Sequence, residues 1–148
     1  MESVPYQRKS LDEAEAIEDE INEALYEDDY CKLTKTELRI KCYVFPTGCD
    51  KVIPLDRIRC VYYEKQDYEH WKKHWWGFKK WGMGLSSVWW ACDMGRNWHG
   101  KETNYYNVAL DIGDWPKKGF SVKNFDHFLV EARSVLSKTA TFEDHLPF

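Results

Sequence analysis

Six of the eight tryptophans in this chain fall between His70 and Arg96, in the stretch HWKKHWWGFKKWGMGLSSVWWACDMGR. They are Trp71, Trp75, Trp76, Trp81, Trp89 and Trp90, with Lys72, Lys73, Lys79 and Lys80 set between the first four. An indole buries a large apolar area, and its N–H needs an acceptor once it leaves water. A run this dense must be a core, a binding face, or one merging into the other. The rest of the chain is organised around that choice.

Upstream, Thr36 to Phe45 alternates strictly, with Leu38, Ile40, Cys42 and Val44 on one side and Glu37, Arg39, Lys41 and Tyr43 on the other. That is the pattern of a half-buried strand. Pro46-Thr47-Gly48 supplies a turn, and strands follow at Lys51–Pro54 and Arg57–Glu64. Beyond the tryptophan run, Ser86–Cys92, Asn104–Ile112 and Phe120–Val122 read as strands, separated by turn segments that carry Gly95, Gly100, Gly113 and Gly119. Gln66–Lys80 fits either a short helix or an inserted loop, since Trp71, Trp75 and Phe78 recur at helical spacing.

Two helices frame this sheet. Phe125, Phe128, Leu129, Ala132, Val135 and Leu136 make an apolar stripe behind Asn124, a favourable N-cap. Near the N-terminus, Leu11, Ala14, Ile17, Ile21, Ala24 and Leu25 make a narrower stripe, which predicts a helix from Ser10 to Asp28 opened by the capping box Ser10-Leu11-Asp12-Glu13. It is strongly acidic: residues 1–30 hold two basic and eleven acidic side chains, a net −9, against 19 basic and 14 acidic (+5) in the remainder. The expectation is that this helix lays its stripe on the body, with its acids toward lysines around 72–80 or 117–123. A detachable acidic cover is the alternative.

The segments LRIKCYVFPTGCDKVIPLDRIRCVYYE and NFDHFLVEARSVL resemble the opening and the closing helix of small pleckstrin-homology-like (PH-like) domains. The likeness rests on a Y-x-F-P-x-G corner, a K-x-I-P-L-x-x-I transition and the final helix, and it spans about residues 34–137. It implies an α+β fold, a PH-like antiparallel seven-stranded barrel or sandwich closed by a C-terminal helix. Residues 1–33 would add the acidic helix and a linker, and 138–148 a loosely held tail. Such domains bind phosphoinositides, peptides or protein partners, although a fold does not fix a function. The acidic helix and the Trp/Lys segment at 66–85 depart from a minimal domain of that kind.

Composition narrows the classes. At 148 residues with 31% charged side chains, the chain is the size of one domain with a real core. No run reaches the ~18 apolar residues of a membrane span, and MESVPYQRKS lacks a signal peptide's apolar core. Five cysteines in no paired spacing point to a reducing compartment, hence the cytoplasm, with a peripheral membrane position under a lipid-binding reading. A body charge of +5 disfavours nucleic acid, whose binders show a pI above ~9.

The expected function is a non-catalytic intracellular module recognising a protein or peptide partner. The expected binding residues are Trp71, Lys72, Lys73, Trp75, Trp76, Lys79, Lys80, Trp81 and Arg96. Anionic-lipid binding is the alternative, because lysines attract phosphate and tryptophans favour the interface. The third reading is a small enzyme centred on Asp93, Arg96 and His99, although no nucleophile elbow or phosphate loop accompanies them. His70 and His74, with Cys92 and His99 further on, lack the paired spacing of a structural zinc site. No motif implies a cofactor.

Overall fold

The computed structural model describes residues 3–100, 103–136 and 138–148, with the side chains of 3–9 left aside. It is a mixed α+β structure with two sheets and three α-helices among those residues. Helix α1 is Ser3–Asn22. Strands β1 (Tyr26–Glu27), β2 (Cys31–Leu33), β3 (Glu37–Ile40) and β4 (Lys51–Pro54) form an antiparallel sheet in sequence order. The second sheet contains β5 (Cys60–Lys65), β6 (Gly82–Met83), β7 (Val88–Trp90), β8 (Tyr106–Asp111), β9 (Lys117–Val122) and β10 (Thr141–Glu143), in the order β10-β5-β8-β9-β7-β6. Helix α2 (Tyr68–His74) lies between β5 and β6, and α3 (Phe125–Val135) between β9 and β10.

The expected barrel does not close. The strands stay in two sheets, and two pairs, β10 with β5 and β7 with β9, run parallel rather than antiparallel. Parallel neighbours need crossovers: the chain between β7 and β9 passes through the 91–105 segment and β8, and that between β5 and β10 includes α2 and α3. The six-stranded sheet is covered on both faces. Val108 and Leu110 of β8 turn toward Leu38, Ile40 and Ile53 of the first sheet and Phe125, Phe128 and Ala132 of α3. Ala109, between them, faces a second cluster with Phe78, Val88, Trp90 and Leu146. Strand alternation thus puts one strand in two cores.

Helix α3 is where the stripe places it. Asn124 Oδ1 accepts from His127 N, Phe125 stacks on Tyr106 at 4.0 Å, and Phe128 meets Tyr26 edge-on at 5.6 Å. It is not the last element, however. Beyond it β10 pairs with β5, Leu146 is buried and Phe148 lies against Phe78. The C-terminal segment is a structural piece rather than a loose tail.

The acidic helix differs more. It starts upstream of Ser10, so the expected capping box lies inside it, and it stops at Asn22. Its stripe is not laid on the body: Leu11 is 63% and Ile17 57% exposed. Within α1 the stripe is only Leu11, Ala14, Ile17 and Ile21, too small in area to outweigh the solvation of its flanking carboxylates. Glu27 and Asp28, expected within the helix, lie instead in β1 and in the turn that follows it. Asp28 accepts from Tyr30 N, Cys31 N and Lys123 N at 2.7–3.0 Å, joining β1 to the start of α3. Of the lysines at 117–123 expected to meet the acids, Lys118 is buried and paired with Asp114. The strand expected over Thr36–Phe45 ends at Ile40, and Cys42 takes a left-handed φ of 51°.

Candidate functional site

The tryptophan run divides by the fate of its indole N–H groups. Trp90 is fully buried and donates to Gly77 O at 2.9 Å, with Phe78 stacked on it at 5.5 Å. Trp89 and Trp81 both donate to Tyr43 O, at 2.8 and 3.2 Å, pinning the 42–49 loop to the sheet. Trp76 packs on Phe148. The indoles of Trp71, Trp75 and Trp98, like those of Trp76 and Trp115, have no protein acceptor among the described residues; Trp75 and Trp98 are 59% and 56% exposed, and Trp71 is half-buried against the second cluster.

Those three border a cleft of about 390 Å³. Buried Phe78 forms its base, Lys79 and Lys80 lie at its margin, and Arg96 and Asn97 close its end. One wall is α2. Asp67 caps it by accepting from Glu69 N at 3.0 Å, and its short length carries Tyr68 and Trp71 onto one face, their rings stacked at 5.6 Å. Trp98 meets both edge-on, at 5.1 and 5.6 Å. Lysine ammonium groups stand over the aromatic faces, Lys72 over Tyr68 at 4.9 Å and Lys80 over Trp98 at 5.6 Å, a favourable cation–π arrangement.

The opposite wall is the turn from Asp93 to Trp98, held by a buried polar network. Asn107 and Ser121 are a cross-strand pair of β8 and β9. Arg96 Nη1 donates to both, at 2.6 and 3.0 Å, while Nη2 donates to Ala91 O and Nε to Lys79 O. The guanidinium also lies 4.5 Å from the Trp90 ring. Asp93 accepts from Gly95 N at 3.0 Å and from Ser121 Oγ, and stands 2.9 Å from His99 Nε2. Burial alone would raise the Asp93 carboxyl, but the Arg96 charge and the bonds from Ser121 and His99 outweigh it and hold it below the usual carboxylate range. Burial pushes Arg96 down to about 10, still charged at neutral pH.

Of the expected binding residues, Trp71, Trp75, Lys79, Lys80 and Arg96 meet at the cleft. Lys72 reaches it through Tyr68, Lys73 is exposed on α2, and Trp76 and Trp81 are engaged elsewhere. Arg96 is a positioning residue: buried with its donors turned inward, it fixes the backbone of Lys79, and Asp93 N fixes that of Lys80 by donating to its carbonyl at 2.8 Å. Trp98 and Asn97 belong to the cleft and were not expected there, and Tyr68 contacts Trp71 and Trp98 of its wall. Their signal was a lone tryptophan between polar turn residues, away from the dense run.

Asp93, Arg96 and His99 do converge, but the serine beside them donates to the carboxylate rather than to the imidazole. This is not the order that activates a hydroxyl nucleophile. His70 and His74 lie side by side, with His70 3.1 Å from Glu64, while His99 is on Asp93. No group of three metal-ligating side chains occurs among the described residues. Nor is any described helix long and apolar enough to cross a membrane. Compared with known proteins, the chain matches no family model, no curated protein and no solved structure.

Proposed function

We propose that this chain is a non-catalytic intracellular binding module that takes an acidic, apolar-anchored peptide segment of a protein partner in the cleft between α2 and the 93–98 turn. The observation that carries this reading is the aromatic set lining the cleft, exposed Trp75 and Trp98 with half-buried Trp71, whose N–H groups have no acceptor among the described residues while those of Trp81, Trp89 and Trp90 are satisfied internally. Exposed, rigid aromatics in a concave site are the usual anchors of recognition. Lys72, Lys79 and Lys80 beside them supply a complementary field for acidic groups. Five unpaired cysteines, two of them buried, support a reducing compartment. The PH-like relationship stands as part of this proposal, in a version with open sheets.

Display selection of short random peptides on the full chain tests the reading. The expected result is enrichment of Asp or Glu next to Trp, Phe or Leu, lost on Trp75→Ala/Trp98→Ala. Absence of enrichment overturns it. Co-sedimentation with anionic but not neutral vesicles, unaccompanied by peptide enrichment, would replace it with lipid binding.

A further inference from the structure

The cleft contains one polar group whose partner is missing. Among the described buried side-chain nitrogens and oxygens, Asn97 Nδ2 alone has no hydrogen-bond partner. The orientation of that amide is set by its neighbours. Asn107 Oδ1 accepts from Arg96 Nη1 at 2.6 Å and Gln66 Nε2 at 3.1 Å, both obligate donors. The other end of Asn107 must therefore be its NH₂, and the atom of Asn97 that it meets at 2.8 Å must be Oδ1. Flipping Asn97 would set two donors against each other. Its backbone is held as well: N donates to Gln66 Oε1 at 2.8 Å, and φ is +66°, a left-handed conformation that asparagine tolerates better than most residues.

A buried donor held this firmly and left unpaired is unusual in folded proteins, where such groups point to a missing partner. Asn97 borders the 390 Å³ cleft and also a neighbouring one of about 330 Å³ bounded by Gln66, Asp67 and Tyr68. The two clefts share only Asn97 and Trp98. Trp98, largely exposed and with no acceptor for its indole N–H among the described residues, thus stands with Asn97 at the junction of the two clefts.

We infer that the cleft contains a carboxylate subsite, in which an acidic side chain of the peptide displaces the Trp98 ring and accepts from Asn97 Nδ2. This rests on the peptide-binding reading and specifies its acidic group. A neutral carbonyl could also accept, but Lys79 and Lys80 at the margin and the Arg96 charge at the end favour an anion. Arg96 itself has its donors committed, so the hydrogen bond falls to Asn97 and the field to the cations.

The test follows the Asn97 side-chain NH₂ resonances of the ¹⁵N-labelled full chain while butyrate, butyramide or inorganic phosphate is added. Butyrate is expected to move them, with Trp98 fluorescence changing over the same range, and butyramide and phosphate to move them far less. Asn97→Asp, isosteric but without the donor, should weaken butyrate binding about tenfold or more, and Asn97→Gly, which suits the positive φ, should weaken it too. Silence of the Asn97 resonances toward all three overturns the subsite, and equal response to butyramide overturns its anionic character. A selected acidic peptide that saturates below the butyrate concentration assigns the carboxylate to a peptide; the reverse order overturns that source. Peptide enrichment with no Asn97 response would leave the binding reading standing and remove this subsite.

Discussion

Trp90 and Trp98 are eight positions apart, yet they illustrate opposite uses of one residue type. Trp90 sits on a strand, with its N–H bonded and its ring between Phe78 and Arg96. Trp98 sits at the end of a turn, its ring edge-on to Tyr68 and Trp71 but more than half exposed, with no acceptor for its N–H among the described residues. Between them Arg96 contacts the first ring and fixes the turn that presents the second. The comparison teaches that the tryptophan-rich stretch is neither wholly core nor wholly binding face. Trp90 is buried in the second core and Trp89 packs on the first, while Trp71 joins the second core to the cleft.

The largest expected effect is on the buried side. Trp90→Ala should cost about 3–5 kcal/mol in denaturant unfolding, the usual range for truncating a buried aromatic. Gly119→Ala attacks the same ring from β9, because a methyl group there would run into Trp90 and Val88; overpacking of this kind costs about 1–3 kcal/mol. If either variant melts like the parent, Trp90 is not the anchor described.

The polar network gives a pH signature. Asp93 has a folded pKa below its unfolded value, so its contribution is present above the unfolded pKa of about 4 and is lost as pH falls through the folded value. Denaturant midpoints measured downward from about pH 6 should therefore fall steeply below about pH 4 in the parent. Asp93→Asn should be less stable at neutral pH and show a shallower acid slope. An unchanged slope would mean that another carboxylate governs acid unfolding.

The smallest effects fall on the open side. Trp98→Ala should change stability by no more than about 0.5 kcal/mol, as for exposed positions generally, while costing about 2 kcal/mol or more in peptide binding if Trp98 is a hot spot. Deleting residues 1–22 should likewise leave the denaturation midpoint nearly unchanged, because the described stripe of α1 is exposed. Extending the deletion through Asp28 should destabilise the fold, since Tyr26 and Asp28 hold the start of α3. Equal stability of the two deletions would contradict that division.

What the sequence made legible follows the strength of local patterning. The stripe from Phe125 to Ala132 marked α3 correctly because it carries two phenylalanines that bury on both sheets. The stripe from Leu11 to Ile21 shows the same period, yet spacing does not record that so few apolar side chains among flanking acids leave too little to bury. Alternation located β3, β5 and β8, but not the parallel pairings of β7 and β10, which depend on contacts far apart in the chain. The lysines and tryptophans at 71–80 were visible as a candidate site. Asn97 and Trp98 were not, because their role comes from a turn fixed by Gln66, Asn107 and Ser121, residues unremarkable in their own strands. Asp93, Arg96 and His99 were correctly seen as neighbours, and their network supports the turn.

The central claim is that the tryptophans divide into an anchored set and a binding set. Fluorine NMR of the full chain labelled with 5-fluorotryptophan, assigned by single Trp→Phe substitutions and titrated with a selected acidic peptide, tests it directly. The account predicts that resonances of Trp71, Trp75 and Trp98 move on binding while those of Trp81, Trp89 and Trp90 stay fixed. Shifts confined to Trp81, Trp89 and Trp90, or spread evenly over all eight residues, would contradict it.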